Sequence, residues 1–188
     1  MIISQTGQYS FDVKKDPLDL TIIQIAGEEI AVTVNLLEPG SKAEVRAITI
    51  GQNEQQARLD VKLCHQSADT TANFTGRALM KDSSQLLFNG LIEIEEDARD
   101  TESFLSHRSL LQDKARVNPN PALEIRNNAV KASHSAAVTQ LDENAILFLT
   151  SRGLSNKDAR AMLTEAFLTD ITEQLDATWQ KQIEDTIH

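Results

Sequence analysis

The sequence predicts a mainly β protein with a helical C-terminus, and three observations carry that reading. Short segments of alternating apolar and polar residues follow one another from about Leu18 to Gln140. Clusters of Gly, Pro, Asn and Ser separate them. After Gln140 the two-residue period gives way to a helical one. Periodicity alone leaves two architectures open, a solenoid of stacked short strands or an antiparallel sandwich with turns at intervals of roughly 8–12 residues.

The clearest expected strands are LDLTIIQIA (18–26), EIAVTVNLL (29–37), AEVRAITI (43–50), ARLDVKLC (57–64), TANFTGRALM (71–80), QLLFNGLIEI (85–94) and PALEI (121–125). Ile30, Val32, Val34 and Leu36 share one face of their strand, as do Leu59, Val61 and Leu63 of theirs. Turns are expected at Gly27, Pro39-Gly40, Gly51, Ser83-Ser84, Asn89-Gly90, Asn118 to Pro121 and Asn127-Asn128. A small residue after a polar turn recurs at Ala98, Ala115 and Ala129, about one and a half dozen residues apart, which suits a solenoid rung.

Beyond Gln140, Asp142 is a suitable N-cap for a helix carrying Ala145, Ile146, Phe148 and Leu149, with Gly153 as its terminator. Ser155 with Asp158 resembles a capping box. Ala159, Leu163, Phe167, Ile171 and Leu175 then recur every four residues, with Met162 and Ala166 alongside, as one apolar face of a long helix. A further helix contains Trp179 and Ile183. The division expected is a β core over 1–140 and a helical domain over 141–188.

The 188 residues carry a formal charge of −10, which disfavours a nucleic-acid partner. Cys64 is the one cysteine, so neither an internal disulfide nor an all-cysteine metal cage can form. The N-terminus shows no signal pattern and no run of about 18 apolar residues occurs, so a cytoplasmic protein without a membrane span is expected. No G-x-S-x-G, Walker A or dinucleotide glycine pattern is present. The expectation is therefore no enzyme.

Four histidines offer metal or proton chemistry: His65, His107, His134 and the terminal His188. His134 is flanked by Ala132, Ser133, Ser135 and Ala136, which leave its imidazole open to a ligand or partner; its plainer role is a hydrogen bond at the strand–helix junction. Cys64 and His65 are adjacent on a strand, point to opposite faces and chelate one ion poorly. Glu93, Glu95, Glu96, Asp97, Asp100 and Glu102 lack the spacing of a calcium loop and read as a solvated turn.

From about His65 to Leu175 the motifs arrive in a familiar order. They are Phe88-Asn89-Gly90-Leu91-Ile92, Ser109-Leu110-Leu111-Gln112 with Ala115-Arg116-Val117, and Pro121-Ala122-Leu123-Glu124-Ile125. Val130-Lys131-Ala132-Ser133-His134, Gln140-Leu141-Asp142-Glu143 and Ser151-Arg152-Gly153-Leu154 follow. The series resembles the C-terminal part of the SufB/SufD family of iron–sulfur cluster assembly proteins. That resemblance implies a right-handed parallel β-helix followed by a helical domain, and it favours the solenoid over the sandwich. The Lys-Ala-Ser-His sequence ending at His134 is similar to the SufD-type pattern. Asp113-Lys114 is followed by Ala115 where SufB-type members carry a cysteine.

The resemblance therefore implies a short, non-catalytic SufD-like component. It implies no stably bound cofactor, and a transient iron–sulfur cluster or metal handled at a subunit interface by His134. It also implies pairing with a SufB/SufD-type subunit or with itself, and docking of a SufC-type ATPase on helices carrying Leu163, Phe167 and Ile171. The competing expectations are a carbohydrate-active β-helix enzyme, which needs clustered acids in an outer groove, and a structural homo-oligomer without the pathway role.

Overall fold

The structure is a computed structural model that describes residues 1–25 and 27–187. Ala26, which ends the first expected strand, and His188 lie outside the described residues. In chain order the strands are β1 (Ile2–Ile3), β2 (Gly7–Val13), β3 (Leu18–Ile25), β4 (Glu29–Leu36), β5 (Lys42–Gly51) and β6 (Gln56–His65). There follow β7 (Thr71–Met80), β8 (Gln85–Ile94), β9 (Thr101–Leu111), β10 (Arg116–Ile125) and β11 (Val130–Gln140). The helices are α1 (Glu143–Thr150), α2 (Asn156–Thr172) and α3 (Ala177–Ile187).

Successive strands alternate between two wholly parallel sheets. Sheet A has the order β1-β3-β5-β7-β9-β11 and sheet B the order β10-β8-β6-β4-β2. This is a β-helix in which each coil contributes one strand to each sheet. Ala43, Ala72 and Ser103 stack in register, so a full coil takes 29 to 31 residues from β4 onward, whereas the steps from β2 to β4 and from β3 to β5 take 23 and 25. The interval of Ala98, Ala115 and Ala129 expected from sequence is thus half a coil, because it mixes opposite corners. At one corner Asn53, Asp82 and Asp113 adopt φ of 55–57°, and Asp69 and Asp100 do so at the other. Asn and Asp tolerate this left-handed turn. The Asn53 N–H donates to the Asp82 carboxylate of the next coil at 2.7 Å.

Alternate side chains fill the interior between the sheets. Leu20, Val45, Phe74 and Leu105 form one inward column, and Val34, Leu63 and Ile92 form another. All are buried, and each contributes about 1.5–3 kcal/mol of transfer free energy. Rings stack along the axis: Phe74 lies 5.5 Å from Phe88, and Phe88 lies 4.0 Å from His107. Gly76 makes room for them, since a Cβ there would sit 2.6 Å from His107 Cδ2 and 2.9 Å from the Phe74 ring.

The helices cover part of the outer face of sheet A. Ile23, Ile48, Ile50, Leu79 and Leu110 meet Leu168, Ile171, Leu175 and Ile183 in a second apolar cluster. Arg77 of β7 pairs with Asp170 of α2 at 2.5 Å and lies under the Phe167 ring. Caps form where the sequence places them: Asp142 accepts from the Asn144 N–H, and Ser155 from the Asp158 N–H. The buried face of α2 differs from the expected one. It consists of Ala159, Thr164, Leu168 and Ile171, with Leu163 and Phe167 at its flank and Met162 and Ala166 outside. The strict four-residue series drifts off the contact because a helix turn takes 3.6 residues. The long helix also stops at Thr172, and Leu175 packs from the following turn.

Candidate functional site

β10 and β11 terminate the coil, so side chains that lower coils bury are open here. Thr101, Ser103, Leu105 and His107 of β9 are buried, whereas their register partners Val130, Ala132, His134 and Ala136 are partly or fully exposed. The same holds on sheet B, where Phe88 and Ile92 are covered but Pro119 and Leu123 are half open. Ile125 is 40% and Val138 45% exposed. His134 stands in the middle of this end with the inward parity of Leu105, and its imidazole makes no hydrogen bond among the described residues. An exposed imidazole on an apolar, unroofed coil is suited to a metal or a partner.

The other sequence candidates do not join it. Cys64 lies on the outer face of sheet B beside Lys62 and Glu93, and burial pushes its thiol up to about 11. Glu93 instead bonds Lys62 at 2.7 Å and Arg126 at 3.5 Å, Glu95 bonds Arg126 at 2.5 Å, and Glu102 bonds Lys131 at 2.7 Å. Glu93, Glu95 and Glu102 of the acidic stretch therefore form ion pairs between coils, worth little individually on a solvated face. Among the described residues no group of three or more His, Cys, Asp or Glu is placed to hold a metal ion. Ala115, which follows Asp113-Lys114, is buried at a coil corner.

His65 and His107 are interior residues, which their sequence neighbours did not reveal. His65 Nδ1 lies 2.8 Å from Thr70 Oγ1 and His107 Nδ1 lies 3.4 Å from Ser109 Oγ, while both Nε2 atoms are buried without a partner. Burial lowers each imidazole to about 4, and Arg77 adds to the effect at His107. The folded state therefore keeps both neutral while the unfolded chain protonates them near 6.5. More protons bind the unfolded state between these values, so stability is complete above about pH 6.5 and falls as pH drops towards 4. The urea midpoint is expected to decrease from pH 7 to pH 5, as the unfolding free energy falls by up to about 2 kcal/mol per histidine. A flat midpoint over that interval contradicts neutral burial.

On the helices, Ile171 is buried in the seam with sheet A, and Leu163 and Phe167 are half-buried beside it. The apolar side chains turned outward are Leu147 (67% exposed), Phe148 (54%) and Met162. Arg152 lies 3.6 Å over the Phe148 ring. Among the described residues no helix is long and apolar enough to cross a membrane.

Residues 24–167 match the family described as SUF system FeS cluster assembly, SufBD core domain. Among curated proteins, an iron–sulfur cluster assembly SufBD family protein of Synechocystis sp. is 33% identical over 73% of this chain and 31% of its own length. The iron–sulfur cluster assembly protein SufD of Escherichia coli is 30% identical over 82% of this chain and 34% of its own. SufD of Bacillus subtilis is 29% identical over 76% and 33%. The chain spans about a third of the length of these relatives.

Proposed function

This chain belongs to the SufBD family of iron–sulfur cluster assembly proteins, and from that premise we propose that it is a non-catalytic, cytoplasmic SufD-like component of the assembly machinery. The observation that carries the reading is the unroofed end of the β-helix with His134 exposed at its centre. Such an end leaves apolar side chains and unpaired backbone groups that association covers. A SufB/SufD-type subunit, or a second copy, docks there. His134 then contributes one ligand to a cluster or iron passing through the joint, with the remaining ligands supplied by the partner.

Residues 141–188 act as the unit that receives a SufC-type ATPase. Because Ile171 is buried, the contact moves to the outward side chains Leu147, Phe148 and Met162 and to the half-buried Leu163 and Phe167. The double variant Leu147→Asp, Phe148→Asp is expected to lose the ATPase in co-purification with the chain still folded. Retained binding contradicts the assignment.

His134→Ala is expected to leave stability within about 0.5 kcal/mol, because the side chain is exposed and unbonded. Iron–sulfur assembly on the complex, read by visible absorption after supply of iron and sulfide, is expected to fall about tenfold, as commonly follows loss of a metal-site residue. Unchanged assembly with that variant removes the ligand role of His134, and a chain that in addition binds no assembly partner is a structural homo-oligomer without the pathway role.

A further inference from the structure

The two ends of α3 are held in different ways. At its start Asp176 Oδ1 accepts from the Thr178 and Trp179 N–H groups at 2.9 and 3.1 Å. Gln180 Nε2 reaches back to the Thr172 and Leu175 carbonyls at 3.1 and 3.0 Å. All of these partners are local, so the root of α3 is fixed to the end of α2. The far end lacks such support. The last carbonyls of a helix have no partner inside it. The last turn of α3 carries Glu184 and Asp185 with no basic residue, the wrong sign for the negative end of a helix dipole.

The coil supplies what the helix lacks. Lys81 Nζ donates to the Ile187 carbonyl at 2.5 Å, and Gln52 Nε2 donates to the Thr186 carbonyl. Gln52 follows β5 and Lys81 follows β7, one coil apart at the same corner, where the Lys81 N–H donates to the Gly51 carbonyl at 2.9 Å. Lys81 is half-buried there, which lowers the pKa of its ammonium, while the Asp82 and Asp113 carboxylates of the corner attract it. Among the described residues it forms no ion pair with either. Two alternative homes for one cation therefore stand side by side. Among the described residues of α3 only Ile183 is fully buried, whereas α2 buries Ala159, Thr164, Leu168 and Ile171.

We propose that α3 is a strap that swings from this fixed root and is latched at its tip by Lys81, whose ammonium passes to Asp82 and Asp113 when the strap opens. Such a device has the two discrete arrangements that a switch requires. Closed, it covers Leu168 of α2, which lines the groove between α2 and α3 with Ile183 and Ile187. Open, it exposes those three side chains as an apolar strip. The seam of Ile171 with Ile48 and Leu79 stays covered, because Asp170 of α2 remains paired with Arg77. The closed strap thus withholds an apolar surface, and the charge at position 81 sets how often that surface is offered. α3 lies beyond residues 24–167, which match the family, and the strap does not depend on the assembly role.

The test is residue-level amide exchange of the full chain for the wild type, Lys81→Met and Lys81→Arg. Acrylamide quenching of Trp179, the single tryptophan, is the second readout. Lys81→Met keeps the aliphatic stem and removes the charge. In that variant the amides from Lys181 to Ile187 are expected to exchange about tenfold faster than in the wild type, with those of α2, β5 and β7 unchanged. Lys81→Arg retains the cation and is expected to stay within about threefold of the wild type. Quenching is expected to rise for Lys81→Met and not for Lys81→Arg. Equal exchange of α3 in the wild type and Lys81→Met overturns the proposal, as does Lys81→Arg matching Lys81→Met, since the charge then does not hold the strap. Loosening of α2 and β7 together with α3 also overturns it, because the helices then move as one body. If Lys81→Met does not fold, salt decides: as sodium chloride rises from about 0.05 to about 1 M, wild-type α3 is expected to exchange faster while α2 holds. Salt-independent exchange of α3 then overturns the latch.

Discussion

Phe88→Ala is expected to destabilise the protein by about 3–5 kcal/mol, the usual range for truncating a fully buried aromatic. The ring has no exposed surface and lies between Phe74 on one side and His107 on the other, at 5.5 and 4.0 Å between centroids. Its removal leaves a void on the solenoid axis that neighbouring coils cannot collapse to fill, because the backbone ladders on both sheets hold their spacing. The loss extends beyond transferred area, since His107 forfeits the face on which its neutral ring rests. Urea denaturation at pH 7.5 reads the effect directly. A change below about 1 kcal/mol means that the site relaxes and the stack contributes little.

Ile171→Asp is the second large effect. Ile171 sits in the seam where α2 meets Ile48, Ile50 and Leu79, and a carboxylate there has no cation to meet, because Arg77 is already engaged by Asp170. Burying it unpaired costs several kcal/mol, so the helices undock instead. The outer face of sheet A then exposes Ile23, Ile48 and Leu79 to water, and the β-helix loses stability along with the helices. We expect a fall of about 3 kcal/mol or more in unfolding free energy and rapid amide exchange throughout α2 and α3. Helices that undock while the β-helix keeps its wild-type midpoint show that the seam contributes nothing to the coil. The same coupling argues against deleting residues 141–188 as a test of ATPase binding, since the deletion strips a buried face of the coil.

Much of the coil is legible in the residues. β4, β6, β7 and β8 fall within a residue or so of their expected bounds, because their inward positions are apolar or small in strict alternation: Ile, Val and Leu dominate in β4 and β6, Leu, Phe and Ile in β8, and Ala72, Phe74, Gly76 and Ala78 in β7. β9 and β11 are less distinct. Apart from Leu105, the inward positions of β9 are Thr101, Ser103, His107 and Ser109, and between Val130 and Val138 those of β11 are Ala132, His134 and Ala136, so apolar patterning is weak where the interior is lined by small or hydroxyl side chains. β1 and β2 precede the expected start at Leu18; β1 is only two residues long, whereas β2 carries a regular alternation of Tyr9, Phe11 and Val13 with Gln8, Ser10 and Asp12 that the expected start passed over. The helix caps at Asp142 and Ser155 are local in nature and follow from the sequence directly.

The candidate site divides in the same way. His134 emerges from its small neighbours and from family resemblance, while its position on the last, unroofed coil depends on no later strand covering it. Neutral burial of His65 and His107 follows from coils that lie 29 to 31 residues away in the chain. By itself the sequence determined the local terms: strand alternation, the helix caps and the chemistry of each side chain, all set by neighbours within a few residues. The turns were less legible, since Asn89-Gly90 and Asn118 to Pro121 lie within β8 and β10 and the left-handed corners fall at Asn53, Asp69, Asp82, Asp100 and Asp113. Only the tertiary structure decided which face of α2 is buried, which histidines lie inside the coil, and which corner residues hold the tip of α3. Those depend on register and stacking between segments far apart in the chain, which local periodicity does not encode.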